Sequence, residues 1–333
     1  MTQRVMITGA SAGVGRAVAR AYAERGASLG LIARGEAGLA AAERDCRARG
    51  AADVRTYQVD VADDGAVQRA ADDAVRHLGG LDVWINDAMV SVFAPAWEIT
   101  AAEFRRVTEV NYLGTVYGTL AALRHMRPHG RGAIVQVGSA LAYRGIPLQS
   151  AYCASKHAIQ GFNDSLRAEL LHDCPGVKLS MVQLPAVNTP QFSWVRTRLP
   201  RHPQPVPPIF APEVAARAVV WAADHGPREL NVGGPTWRAR VGNVLFPGLL
   251  DRKLAHSGYD SQQTDTPIDP ATWRDNLDRP GDDELDWGAE GVFADRARQH
   301  SAALWVSAHK PAVSVLALSG LVMAATGLVR RLR

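Results

Sequence analysis

The chain is poor in cysteine, in net charge and in metal-ligand patterns. Its 333 residues include three cysteines, Cys46, Cys153 and Cys174, an odd count with no C-x-x-C pair. That excludes a disulfide framework and a cysteine-built zinc site, and it fits a reducing compartment. The ten histidines show no metal-ligand spacing, so no metal is expected. A formal net charge of +4, with Lys and Arg scattered rather than clustered, argues against nucleic-acid binding. No signal segment precedes the first apolar run, Val5-Met6-Ile7, so the N-terminal body is expected in the cytoplasm. What is present is 47% hydrophobic against 21% charged residues, the mix of a protein with a real core.

From Arg4 to Gly233, short apolar runs alternate with longer amphipathic ones. Strands are expected at residues 5–7, 29–33, 54–59, 83–85, 134–137, 177–184 and 230–232. Near-continuous apolar strands are those buried on both faces. Segments such as 14–25, 39–49 and 67–78 are long enough for crossover helices. The alternation predicts an α/β fold, a Rossmann-like doubly wound parallel sheet with helices on both faces. Residues 1–245 are expected to form this catalytic domain, 246–310 an acidic, Pro-containing extension and 311–333 an apolar tail.

The texture changes past Gly234. Between Asp260 and Glu290 ten Asp or Glu stand against two Arg. Such a stretch is either disordered or wraps the body irregularly, and Trp273 and Trp287 favour packing. Residues 312–329 carry no charge and are followed by Arg330-Arg331-Leu332-Arg333. The run is short for a bilayer span but within the accepted range. The arginines beyond it run against the positive-inside tendency. Membrane attachment through 312–329 and a soluble docking helix are the two expectations.

The first strand runs into Thr8-Gly9-Ala10-Ser11-Ala12-Gly13-Val14-Gly15. Glycines at 9, 13 and 15 permit a tight turn and close approach to a pyrophosphate, and the next helix offers free N–H groups. A strand before and a helix after make this a dinucleotide cradle, with contacts expected from Gly9, Ser11, Gly13, Val14 and Gly15. At the end of the second strand an acid would bind the ribose 2′-hydroxyl of NAD. The chain reads Ile32-Ala33-Arg34 instead. A guanidinium there suits the 2′-phosphate of NADP, so NADP is expected over NAD.

Tyr152-Cys153-Ala154-Ser155-Lys156 places a phenol and an ammonium four residues apart, on one face of a helix. A nearby ammonium is expected to bring the phenol toward its working range. Ser139 follows the strand ending at Val137-Gly138, at the sheet end where doubly wound folds bind ligands. Cys153 and His157 point away from that face and are expected to be packing or surface residues.

With its TGxxxGxG loop and YxxxK pair in this order, the chain resembles the short-chain dehydrogenases/reductases over about residues 3 to 233. The resemblance implies hydride transfer between a nicotinamide cofactor and a carbonyl or alcohol carbon. It implies a tetrad of Asn111, Ser139, Tyr152 and Lys156. Tyr152 would exchange the proton, Lys156 would lower the tyrosine pKa and hold the nicotinamide ribose, Ser139 would orient the substrate oxygen, and Asn111 would hold a water linked to Lys156. It also implies adenine contacts from Asp60 and Val61, cofactor contacts from Asn86 and Ala88, and a carboxamide contact from Thr189 in Asn188-Thr189-Pro190. Two departures stand out. Asn86-Asp87-Ala88-Met89 replaces the family's Asn-Asn-Ala-Gly, and Pro185-Ala186 replaces Pro-Gly.

The loop after the sixth strand carries Phe192, Trp194, Val195, Leu199, Ile209 and Phe210 among prolines. It reads either as a lid over an apolar substrate such as a steroid, lipid or aromatic ketone, or as a loop packed on the body. The expected protein is a homo-oligomeric ketone/aldehyde reductase or alcohol dehydrogenase acting on small molecules. One rival is a β-ketoacyl thioester reductase, kept open by Arg196, Arg198 and Arg201. The other is a cofactor-binding redox scaffold without turnover, against which the complete tetrad argues.

Overall fold

The computed structural model describes residues 2–308. Seven strands form one parallel sheet: β1 (Arg4–Thr8), β2 (Ser28–Ala33), β3 (Asp53–Gln58), β4 (Val83–Asn86), β5 (Gly132–Ser139), β6 (Val177–Leu184) and β7 (Glu229–Asn231). Their spatial order is β7-β6-β5-β4-β1-β2-β3. The order reverses between β1 and β4, which opens a crevice at the C-terminal strand ends. The structure is thus the doubly wound Rossmann-like fold that the strand–helix alternation predicts.

The sheet is covered on both faces. Helices α1 (Gly13–Ala23) and α2 (Glu36–Ala48) lie on one face with a later helix, Pro212–His225, around a core that includes Val18, Tyr22, Leu31 and Val219. Helices α3 (Asp64–Leu78), α4 (Ala101–Val107), α5 (Gly114–Met126) and α6 (Ser150–Asp173) cover the other, around Trp84, Ile134, Met126 and Leu170. The caps follow local chemistry. Asp63 accepts from Ala66 N–H at the start of α3, and Gly79 ends it at φ 76°. Thr100 and Glu103 form a capping box at α4.

Between α4 and α5 the helix is not α. Residues Thr108–Leu113 form a π turn. The extra residue per turn rotates Asn111 into the interior, where it is buried.

The acidic extension is ordered on the body. Gln263–Pro267 pairs antiparallel with Arg201–Pro203, and Ala297–Arg298 pairs parallel with Ile209–Phe210. Between these, the chain is irregular and anchored by aromatics. Trp287 packs edge-on against Trp194 at 5.3 Å, and Trp273 donates from Nε1 to the Val195 carbonyl at 3.0 Å. Wrapping is therefore the outcome, because the buried Leu277 and the indole contacts of Trp273 and Trp287 give an acidic segment enough apolar contact to order. No helix among the described residues is long and apolar enough to cross a membrane. The run at 312–329, on which membrane attachment was expected, lies outside the described residues.

Behind the glycine loop, Arg16, Arg20 and Arg49 converge on Asp45 at 3.1, 2.6 and 2.8 Å. Burial would raise this carboxyl, but the three guanidinium hydrogen bonds hold it at about 2 against an ordinary 3.8. A depressed folded-state pKa adds stability that is fully present above 3.8 and is lost as pH falls through about 2. Asp45→Asn should lower Tm at neutral pH, and its deficit against wild type should shrink as pH falls across that window. Thermal unfolding followed by circular dichroism at several pH values checks this.

Candidate active site

A cleft of about 430 Å³ opens at the C-terminal ends of β1, β4, β5 and β6. Its floor is the glycine loop. Gly9 and Gly13 sit at φ 70° and 58°, where L side chains are strained. A Cβ on Gly9 would lie 2.8 Å from Ala88 Cα, so β1 and β4 meet here backbone to backbone. Thr8 fastens that junction, its hydroxyl accepting from Asp87 and Ala88 N–H at 3.0 and 3.2 Å. Helix α1 begins at the loop with no side-chain cap and no acid in its first turn, which leaves its positive end toward the cleft.

Ser139, Tyr152 and Lys156 line one wall of this cleft. Ser139 is the last residue of β5 and Tyr152 lies in the first turn of α6. Lys156, one turn on, donates from Nζ to the Val137 carbonyl at 2.8 Å and lies 5.5 Å from the Tyr152 ring centroid. Asn111 is not on the cleft wall. Its Nδ2 donates to the Val90 carbonyl at 3.0 Å and to Ser155 Oγ at 3.1 Å, and its Oδ1 accepts from Val90 N–H at 2.8 Å.

The electrostatics differ from expectation. Burial pushes the Tyr152 phenol up, with the Ser139 hydrogen bond opposing and the Asp87 charge adding to the rise. Lys156 does not bring it down here, because its ammonium is turned onto a backbone carbonyl. Burial also pushes Lys156 down and Asp87 up, each opposed by the other's charge. Asp87, where the family has Asn, thus places a carboxyl at the cleft beside the lysine, against the Gly15 N–H.

Most of the expected cofactor contacts meet at the cleft: Gly9, Ser11, Gly13, Val14, Arg34, Asp60, Val61, Ala88, Tyr152, Lys156 and Thr189. Two do not. Asn86 is turned into the core, where Nδ2 donates to Gln136 Oε1 at 2.8 Å and Thr119 Oγ1 at 3.1 Å, and Oδ1 accepts from Trp84 Nε1 at 2.8 Å. As a strand residue it alternates away from the cleft face, so it shapes the strand end rather than touching a ligand. Gly15 is a packing glycine, since its Cβ would lie 2.2 Å from the Gly9 carbonyl oxygen. Arg34 borders the cleft but is engaged, donating to the carbonyls of Asn276 and Leu277. Asp60 would be raised by burial, but Arg106 and the Ala62 N–H hold it below the usual carboxylate range. Cys153 is buried and His157 exposed, and neither lines the cleft.

The loop after β6 splits in two. Phe192, Trp194 and Val206 line the cleft, with Phe192 edge-on to Phe93 at 6.2 Å and to Phe293 at 6.1 Å. Val195 and Leu199 pack under it with Leu148, while Ile209 and Phe210 are buried against the body and are not part of a lid. The three arginines are paired: Arg198 with Glu103 at 2.9 Å, Arg196 with Asp278 at 2.8 Å and Arg201 with Asp260 at 2.9 Å. Sequence reasoning missed the extension's share of the cleft, from Asn276, Pro280, Gly281 and Asp282. The only signal was the pair of tryptophans.

The short chain dehydrogenase family profile matches residues 3–199. An uncharacterized oxidoreductase of Bacillus subtilis, YxnA, is 33% identical over 270 residues, covering 80% of this chain and 76% of that protein. The human dehydrogenase/reductase SDR family member 7 is 35% identical over 181 residues, covering 54% and 53%. Among solved structures, a short-chain dehydrogenase from Streptomyces avermitilis superposes with a TM-score of 0.64 at 25% identity, covering 78% of this chain and 97% of that one. Levodione reductase gives 0.54 at 30% identity, covering 57% and 75%. The chain belongs to the short-chain dehydrogenase/reductase family of oxidoreductases, which use a nicotinamide dinucleotide.

Proposed function

We propose that this protein is a short-chain ketone/aldehyde reductase or alcohol dehydrogenase for an apolar small molecule, with Tyr152 as its proton-transfer group. The observation that carries the reading is the cleft that joins the glycine loop to Ser139, Tyr152 and Lys156. The residues fit a dinucleotide: Gly9 and Gly13, at positive φ, turn the loop backbone tightly onto the cleft, and the uncapped, acid-free start of α1 faces the same space. When bound, the nicotinamide supplies or accepts the hydride. In reduction the carbonyl carbon gains that hydride while its oxygen takes the Tyr152 proton. A phenol raised by burial is fully protonated at neutral pH, the form this step needs. The Ser139 hydroxyl, bonded to Tyr152, orients the same oxygen.

Phe192, Trp194 and Val206 favour an apolar substrate. The thioester reading loses its support, since Arg196, Arg198 and Arg201 are spent on carboxylates. The NADP preference expected from Arg34 requires the guanidinium to exchange the Asn276 and Leu277 carbonyls of the extension for a phosphate. A panel of aromatic and alicyclic ketones, their alcohols and acyl thioesters, followed by nicotinamide absorbance, tests the reading. Turnover should appear with apolar ketones or alcohols. Turnover confined to thioesters, or absent while cofactor binds, would reject it.

A further inference from the structure

We propose that Asp282, from the C-terminal extension, selects the cofactor by accepting the free 2′-hydroxyl of the adenosine ribose in NAD(H) and excluding the 2′-phosphate of NADP(H). The inference rests on the dinucleotide reading above and deepens it. The family's ribose-binding acid would stand at the end of β2, where this chain has Ala33-Arg34. The extension brings a carboxylate to that place from far along the chain.

Three backbone contacts fix it there. Gly38 N–H donates to the Asp282 carbonyl at 2.9 Å, and Ala37 N–H to the Asp283 carbonyl at 3.3 Å. Glu36 N–H donates to Asp283 Oδ1 at 3.2 Å. The segment is thereby clamped on the first turn of α2, directly after β2. The Asp282 side chain is 5% exposed and borders the cleft beside Ser11 and Arg34. Its Oδ2 has no hydrogen-bond partner. A buried carboxylate oxygen without a donor is costly, and a ligand hydroxyl is the donor that would relieve it. Burial raises the carboxyl, with hydrogen bonds from the Ser11 hydroxyl and from its own backbone N–H opposing the rise.

The local sequence is cut to admit this side chain. A Cβ on Gly35 would lie 2.0 Å from Asp282 Oδ1, and one on Gly38 2.3 Å from Oδ2. The surroundings also disfavour a phosphate. Arg34 is engaged by the carbonyls of Asn276 and Leu277, and its charge is already faced by Asp60, Asp282 and Asp278. A 2′-phosphate would bring two negative charges up to Asp282, while the Arg34 guanidinium is already engaged by two carbonyls.

Calorimetric titration of the full chain with NADH, NADPH, 5′-AMP and adenosine 2′,5′-bisphosphate tests the proposal without requiring turnover. Wild type should bind NADH and 5′-AMP at least about tenfold tighter than their 2′-phosphorylated counterparts, the scale of one charged hydrogen bond. Asp282→Asn should shift that ratio by about tenfold toward NADPH, since it removes the like charge. Gly38→Ala, which crowds the carboxylate from the other side, should move the ratio in the same direction. A wild type that prefers NADPH would overturn the proposal. So would a ratio unmoved in both variants with only Tm lowered, since Asp282 would then merely brace α2. Binding of neither dinucleotide would overturn this proposal and the dinucleotide reading together, whereas binding without discrimination would overturn this one alone.

Discussion

Tyr152→Phe is expected to lower turnover by about 10²-fold or more while leaving fold and cofactor affinity intact, the scale of a general acid–base contribution. The substitution removes one hydroxyl from a ring that otherwise stays packed over Lys156. Lys156→Ala is expected to hurt twice. It removes a buried ammonium that both anchors to the Val137 carbonyl and faces the cleft, so cofactor affinity should fall along with turnover. The Asp87 carboxyl would also lose the charge that holds its pKa down, and should become more protonated near neutrality. Ser139→Ala should reduce turnover chiefly, through loss of the hydrogen bond that orients the reacting oxygen. Steady-state turnover and dinucleotide titration of the three variants separate these effects. Near wild-type turnover in Tyr152→Phe would mean that the proton comes from another group.

Gly15→Ala should be the most damaging single-methyl change in the described chain's cofactor loop. The new Cβ would sit 2.2 Å from the Gly9 carbonyl oxygen, 2.8 Å from its carbon and 2.9 Å from Asp87 Oδ2. The first two are backbone, so no rotamer change relieves the clash. Either α1 slides out or the Gly9 peptide turns, and both misplace the N–H groups at the helix start. Overpacking of this kind costs about 1–3 kcal/mol in stability. Losing one phosphate hydrogen bond of about 1.5–3 kcal/mol would weaken dinucleotide binding by roughly ten- to a hundredfold. Gly161 is the control. It lies within α6 with nothing within 4 Å of its would-be Cβ, so Gly161→Ala should raise stability by about 0.5–1 kcal/mol. Thermal unfolding and cofactor titration of both variants decide the point. Equal behaviour of the two would show that the Gly9–Gly15 contact does not constrain the loop.

The Tyr152–Lys156 pair was legible in the sequence because a helix repeats every 3.6 residues, so four apart means one face. The glycine loop was legible because its spacing follows a strand and opens a helix. The doubly wound sheet was legible for a similar reason: strands buried on both faces must be almost wholly apolar, and Val5-Met6-Ile7 or Ile134-Val135 announce themselves. All of these are short-range patterns, written within one element or across one turn.

What the sequence hid is what arises between distant segments. The π turn that rotates Asn111 inward has no local composition signal, since it depends on how α4 and α5 pack against α6. The side to which Asn86 points follows from the pleat and from partners at Trp84, Thr119 and Gln136. Arg34 read alone is a phosphate ligand; in the fold it is a donor to Asn276 and Leu277, more than two hundred residues on. Arg196, Arg198 and Arg201 read as a basic cluster, and the fold neutralises each with a separate carboxylate. The sequence alone determined the sheet, the glycine loop and the spacing of the tyrosine and lysine, because local periodicity and turn chemistry specify them. Only the tertiary structure decided that an acidic extension lines the cleft beside β2 and brings Asp282 to α2. That contact is made by burial of Leu277 and the packing of Trp273 and Trp287, and no local pattern encodes where such anchors land.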